Sequence, residues 1–329
     1  MLVNQTGARV EAGQVKYLDV GEKTAGQRLD NLLLRELKGC PKSLIYRIIR
    51  KGEVRINGKR SKPETRLQSG DKVRIPPLRL PEKVQQANPG KQLAALLEAS
   101  ILFENEEFLV LSKPAGLAVH GGSGVRLGLI EALRQLRTEW QDLELVHRLD
   151  RDTSGCLVLS KNTIFLREIN KILKNNSAIK IYSALVQGYW PDTLQLIDAP
   201  LAKNQLDSGE RMVKVSAEGK KSLTRFRVVE RFGRQATLLE VQLETGRTHQ
   251  IRVHCQFAGH PIVGDTKYGN RELAAALPRI KKLCLHASRL EFNYPPRGRR
   301  HEFFAALNQD FEEALKLLRS KKKSLNNGS

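Results

Sequence analysis

Residues 146–155 read VHRLDRDTSG. Arg148, Asp150, Arg151 and Asp152 crowd together between two apolar runs of strand length, LELV before them and CLVLSK after. The pattern requires a charged loop at strand ends, where catalytic groups often sit. A solvated turn is the ordinary reading of such a loop, but a turn needs only one Asp and a Gly. Here arginines flank a carboxylate and would hold it ionised.

Outward from that loop, strand-like runs continue on both sides: ILFENEEFLVLSKP (101–114), IKIYSALVQGYW (179–190), TRFRVVERF (224–232) and QATLLEVQLETG (235–246). The segment TIFLREINKILKNN (163–176) is helical in pattern, with Phe165, Ile169 and Leu173 on one face. Strands and helices interleave irregularly, without a βαβ rhythm, so the spacing predicts a mixed α+β fold with a mainly antiparallel sheet. The chain closes on a helix, FEEALKLLRSKKK, with residues 320–329 set apart as a polar, disordered tail.

The first quarter is different. After a flexible lead-in (1–15), GQRLDNLLLRELKG places Leu29, Leu32, Leu33 and Leu37 at helical spacing, with Gly39 as a stop. Pro41 and Ser43 open a second helix, SLIYRIIRK, that ends at Gly52. It turns Leu44, Ile45, Ile48 and Ile49 to a core and Arg47, Arg50 and Lys51 to a separate basic face. VRINGKR follows with the Asn57-Gly58 dipeptide of a tight hairpin turn. The predicted layout is a compact module over 16–78, a Pro-rich linker with a short helix near LAALLEAS over 79–100, and a larger domain over 101–319.

The 329 residues suit two domains, and 40% hydrophobic content provides for a core. Lys and Arg number 56 against 35 acids, a net charge of +21. Between Lys42 and Arg66 nine basic residues face only Glu53 and Glu64, which points to a polyanion, nucleic acid before membrane. No apolar run reaches the ~18 residues of a membrane helix, and the N-terminus lacks the pattern of a signal peptide. Cys40, Cys156, Cys255 and Cys284 stand apart with no C-x-x-C, so they read as buried free thiols in a reducing cytoplasm.

Three further segments bear on chemistry. In ETGRTHQIRVHCQFAGHPI (244–262), Thr248 reads as an N-cap and Gly259 as a C-cap of a helix over 249–258 with Ile251, Cys255 and Ala258 on its core face. Arg252 then sits one turn inside the N-terminus, where the helix dipole disfavours a cation, so a carboxylate or phosphate must compensate it. His249 and His254 lack the spacing of a helical metal pair and read as hydrogen-bonded histidines. LSKPAGLAVHGGSG (111–124) has four glycines but not the ending of a nucleotide-phosphate loop. Tyr182, in a strand, carries no functional weight alone.

HRLDRDTSG, KPAGLAVHGG, KIYSALVQG and TGRTHQIRVH…GHPI together resemble the RluA-type pseudouridine synthases, and GQRLDNLL…CPKSLIYRIIRKGEVRINGKR…GDKVRIP resembles the S4 RNA-binding domain that precedes many of them. The resemblance covers residues 15–320. It implies isomerisation of uridine to pseudouridine in large-subunit (23S) ribosomal RNA, free or in a large-subunit assembly intermediate, without metal, flavin or nucleotide; the chain itself is expected to be a cytoplasmic monomer. It implies Asp150 as the catalytic carboxylate and Arg252 as its ion-pair partner. Tyr182 would stack on the uracil and serve in proton abstraction at C5, and Arg148 would fill the space left by the flipped base. Arg47, Arg50, Lys51, Arg55, Lys59 and Arg60 of the basic module, and His120 of the glycine-rich stretch, are assigned to RNA contact. Whether Asp150 attacks C1′, adds to the base or abstracts a proton stays open. Other readings are a non-catalytic RNA-binding or assembly factor, a paralogous synthase acting on other uridines, and, remotely, a glycosidase pairing Asp150 with Asp152.

Overall fold

The computed structural model describes residues 15–37, 40, 42–78, 88–121, 127–205, 211–270, 277–294 and 298–326. Nearly all of the lead-in, Gly39, Pro41, residues 79–87 of the linker and part of the glycine-rich stretch (122–124) lie outside them. The chain divides into two compact units, Met1–Gln85 and Gln86–Ser329.

The first unit contains β1 (Lys16–Asp19), α1 (Leu29–Glu36), α2 (Lys42–Arg50), β2 (Arg55–Ile56), β3 (Lys59–Arg60) and β4 (Lys72–Ile75). Its sheet runs β1-β4-β2-β3, antiparallel throughout. Ile56 pairs with Lys59 across a two-residue loop, and Asn57 and Gly58 both take positive φ, as the type I′ turn demands. Leu29, Leu32 and Leu33 of α1 pack with Ile45, Ile48 and Ile49 of α2 over Val54, Val73 and Ile75. The Tyr46 hydroxyl of α2 donates to buried Asp30 of α1 at 3.1 Å and ties the helices together. Arg47, Arg50, Lys51, Arg55, Lys59 and Arg60 are all exposed.

The second unit runs α3 (Lys91–Ala99), β5 (Ile101–Glu104), β6 (Phe108–Lys113), α4 (Leu129–Leu136), β7 (Glu144–Leu145), β8 (Ser154–Ser160), α5 (Thr163–Lys174), β9 (Ile179–Gln187), β10 (Leu196–Asp198), β11 (Leu201–Gln205), β12 (Arg211–Val215), β13 (Leu223–Phe232), β14 (Ala236–Leu243), α6 (Gln250–Phe257), β15 (Leu285–Tyr294), β16 (Arg299–Phe304) and α7 (Gln309–Asn326). The main sheet is ordered β10-β13-β14-β9-β15-β8-β6-β5, with β16 on β15 and β7 on β8. Every pairing is antiparallel except β15 with β8.

Both faces of this sheet are buried, which explains the continuous apolar runs. Along β6, Leu109 and Leu111 enter one core while Phe108 and Val110 enter another; β8 sends Leu157 and Leu159 one way, Cys156 and Val158 the other. Helix α5 covers the second face with Phe165 and Ile169, its first turn capped by the Asn162 side chain, which accepts from the Phe165 N–H. All four cysteines are buried, and burial pushes the Cys156 thiol up to about 11 and that of Cys284 up to about 12.

Three expectations need correction. Residues 91–99 of the supposed linker form α3, whose Leu97 is buried in the same core as Leu111 and Leu133, so this stretch belongs to the second unit. Residues 324–326, set in the disordered tail beyond FEEALKLLRSKKK, continue α7, because nothing between Gln309 and Asn326 breaks a helix. Thr248 is not the cap of α6: His249 holds that position in a left-handed conformation (φ 55°), without a side-chain cap.

Candidate active site

Between β7 and β8 the chain makes the loop that carries Asp150. Three buried contacts hold it. The His147 Nε2 accepts the Val158 N–H at 3.1 Å, and burial drives this histidine down to about 4, so the ring is neutral and acts as an acceptor. The Lys113 side chain, fully buried, donates from Nζ to the carbonyls of Pro114, Leu117 and Arg151 at 2.7–3.0 Å. Burial pulls Lys113 down to about 7, with Asp152 and Asp150 opposing, but three carbonyl acceptors use all three protons of an ammonium. At the loop's end, Gly155 has φ 107°, and a Cβ there would lie 2.2 Å from the Ala287 carbonyl oxygen, so only glycine lets β8 meet β15. Beside it the Ser154 hydroxyl lies 2.8 Å from Nδ1 of buried His286 and accepts from Asn308.

Asp150, Tyr182 of β9, Arg148 and Arg252 of α6 line one cavity, with Leu243, Arg247 and His249 also on its wall. An adjoining groove of about 530 Å³ shares Arg148, Asp150, Tyr182 and Arg247 and adds Lys174 and Lys180. Three segments distant in sequence, the Asp150 loop, β9 and the stretch from the end of β14 into α6, thus converge on one carboxylate. Arg148 is exposed at the cavity, whereas Tyr182 is buried, and burial first, then the charge of Asp150, raises the pKa of its phenol. His120 is exposed and lines neither cavity nor groove. Asp152 is exposed in a turn, 4.0 Å from Arg151.

Arg252 is buried, and its Nη1 donates to Asp150 Oδ2 at 3.2 Å. Its stronger partner is one that sequence reasoning missed. The Asp265 carboxylate accepts two bonds from Arg252, from Nε at 2.7 Å and Nη2 at 2.8 Å, and also the N–H groups of Lys267 and Tyr268. Burial opposes both charges. The Asp265 bonds nevertheless raise the Arg252 pKa, and Arg252 holds Asp265 below the usual carboxylate range. The cation inside the helix N-terminus was the signal that such a carboxylate must exist; nothing local said which one. Among the described residues no group of three or more His, Cys, Asp or Glu could hold a metal ion.

The chain has counterparts among known proteins. The RNA pseudouridylate synthase model matches residues 107–257 and the S4 domain model residues 27–73. Ribosomal large subunit pseudouridine synthase C of Salmonella typhi is 51% identical over 318 residues, covering 95% of this chain and 99% of the relative; that of Escherichia coli (strain K12) is 50% identical over 317 residues, covering 95% and 99%. The chain belongs to the RNA pseudouridylate synthase family. Among solved structures, human RNA pseudouridylate synthase domain containing 4 aligns with a TM-score of 0.57 at 26% identity, over 69% of this chain and 96% of its own. Human RNA pseudouridylate synthase domain containing 1 aligns with a TM-score of 0.51 at 25% identity, over 67% and 94%. The mixed α+β class and the isomerase assignment read from the sequence therefore stand. No helix among the described residues is long and apolar enough to cross a membrane.

Proposed function

We propose that the chain converts uridine to pseudouridine in 23S ribosomal RNA, acting as a cytoplasmic monomer, with Asp150 as its catalytic carboxylate. The observation that carries this reading is the convergence of Arg148, Asp150, Tyr182 and Arg252 on one cavity. Identity of about half the residues to large-subunit synthases supports the substrate. Cleaving the N1–C1′ bond and joining C5 to C1′ calls for a group that assists the departing base, by attack on C1′, by addition to the base or by proton abstraction.

The other residues take roles that their positions suit. Arg252 orients Asp150 and balances its charge. Exposed Arg148 fills the stack when uridine turns out, a step that costs a few kcal/mol and is cheapest in a loop or bulge. Tyr182 stacks on the uracil. Its abstraction of the C5 proton needs a phenolate, which burial and the Asp150 charge both disfavour; consumption of that charge in an adduct would remove the second obstacle. Residues 16–78 supply affinity through Arg47, Arg50, Lys51, Arg55, Lys59 and Arg60, and His120 contacts RNA outside the cavity.

Asp150→Asn keeps the shape and loses the nucleophile or base. Tritium release from 5-tritiated uridine in ribosomal RNA should vanish while RNA binding stays within a few-fold; normal turnover would sink the assignment. Chemical mapping of pseudouridine in ribosomal RNA from cells lacking the chain identifies the positions.

A further inference from the structure

The Asp150 carboxylate has two oxygens, and Arg252 accounts for one. Oδ1, the other, faces Nε2 of His249 at 3.7 Å. On the far side of the ring, Nδ1 lies 2.7 Å from the Tyr268 hydroxyl oxygen, which also accepts the Val213 N–H at 3.0 Å. Tyr268 is buried and Asp265, the partner of Arg252, stands three residues before it in the same tight turn. That turn closes through the Gly269 N–H on the Asp265 carbonyl, and a Cβ on Gly269 would lie 2.1 Å from that oxygen. Two arms therefore run from one turn to one carboxylate: Asp265 through Arg252 to Oδ2, and Tyr268 through His249 to Oδ1.

The direction of the second arm follows from its groups. Burial holds the His249 pKa below the ordinary value, with the Arg252 and Lys267 cations acting with it and the Asp150 and Asp265 carboxylates against it, so the ring is neutral at pH 7. A neutral ring has one N–H. With the Val213 N–H already on the Tyr268 oxygen, the phenol proton goes to Nδ1, and the ring proton is left on Nε2, pointing at Oδ1. The opposite tautomer would set a lone pair against a carboxylate. A separation of 3.7 Å is long for a hydrogen bond, as catalytic contacts often are before substrate binds. His249 also keeps a left-handed backbone, which places strain where the site is built.

We infer that His249 is a positioning residue for the Asp150 carboxylate, donating from Nε2 to Oδ1 in a tautomer set by Tyr268. This rests on the proposed role of Asp150, and the test separates the two. In His249→Gln the side-chain amide nitrogen takes the place of Nε2, whereas in His249→Asn it takes the place of Nδ1. Asn also suits the left-handed backbone better than Gln, so backbone strain predicts the opposite ranking.

Single-turnover tritium release from ribosomal RNA at saturating enzyme, with RNA affinity and urea unfolding measured alongside, is the experiment. Misplacing a catalytic group costs about 100-fold. His249→Asn should lose about that factor in rate with RNA affinity unchanged, His249→Gln should recover to within about tenfold of wild type, and Tyr268→Phe should lose about tenfold. An Asn variant at the wild-type rate, or a Gln variant as slow as Asn, overturns the inference. The tautomer is read independently of turnover from imidazole nitrogen shifts of the intact, ¹⁵N-histidine-labelled chain. The Nε2–H form is expected in the wild type and its loss in Tyr268→Phe; an Nδ1–H form overturns the inference. Wild-type protein that releases no tritium instead overturns the proposed function, and the nitrogen shifts still decide the arm.

Discussion

At the scale of single residues, Arg252 shows how one buried cation serves both stability and chemistry. Its bidentate bonds go to Asp265 and only a single bond to Asp150. Arg252→Met would strand Asp265 in the interior, and an unpaired buried charge costs about 3–5 kcal/mol. The pH dependence should change sign. In the wild type the Asp265 pKa is depressed, so the pair's contribution is complete above about pH 4, the unfolded value, and is lost as pH falls through the lower folded value. In the variant burial dominates and the folded pKa rises, so stability recovers as pH falls toward that of the unfolded chain. Urea unfolding should show a larger deficit at pH 7.5 than at pH 5. An equal deficit at both would mean that Asp265 is not the charge left behind.

Among elements, the junction of β8 with β15 matters most for the site. It is the sole parallel pairing among the described strands, it spans only Ser154 with His286 and Gly155 with Ala287, and it lies directly after the Asp150 loop. Gly155→Ala puts a methyl group against the Ala287 backbone, which cannot move aside as a flexible side chain would. A positive φ on a non-glycine residue adds to the overpacking, for a cost on the order of 2–4 kcal/mol. The variant should melt earlier, and at a temperature where it remains folded it should turn over RNA more slowly than wild type. Wild-type stability in a thermal melt would show that the two strands separate easily at this point.

For the molecule as a whole, two units imply a division of labour. The exposed cations of α2 and the β2–β3 hairpin lie in the first unit, and every residue assigned to chemistry lies in the second. Replacing Arg47, Arg50 and Lys51 with neutral residues should weaken RNA binding. Every phosphate left without its cation flattens the plot of log affinity against log salt by roughly 0.7–0.9, so the slope should fall by about two to three. The single-turnover rate at saturating enzyme should hold, because binding energy shared by ground and transition states leaves the chemical step alone. An unchanged slope would remove this face from the RNA-binding surface, and a collapsed rate with intact binding would end the division.

What the sequence determined by itself was local or carried by contiguous strings. The Asn57-Gly58 turn, the amphipathic α2 with its basic face, the apolar strands around the Asp150 loop and the family resemblance of HRLDRDTSG are each written in one short contiguous stretch. Such features depend on short-range sterics and periodicity, which a chain displays before it folds. Central β15 was not singled out, because LHASRLEFNY mixes buried and polar positions and owes its place to partners on β9 and β8. Helix α3 was set in a linker because its polar flanks hide the one side chain, Leu97, that the core buries. The partners of Asp150 were the least legible. Asp265, Tyr268 and His249 acquire their roles only when the turn after α6 folds back beside the loop between β7 and β8. That proximity joins residues about a hundred positions apart, and no local pattern encodes it.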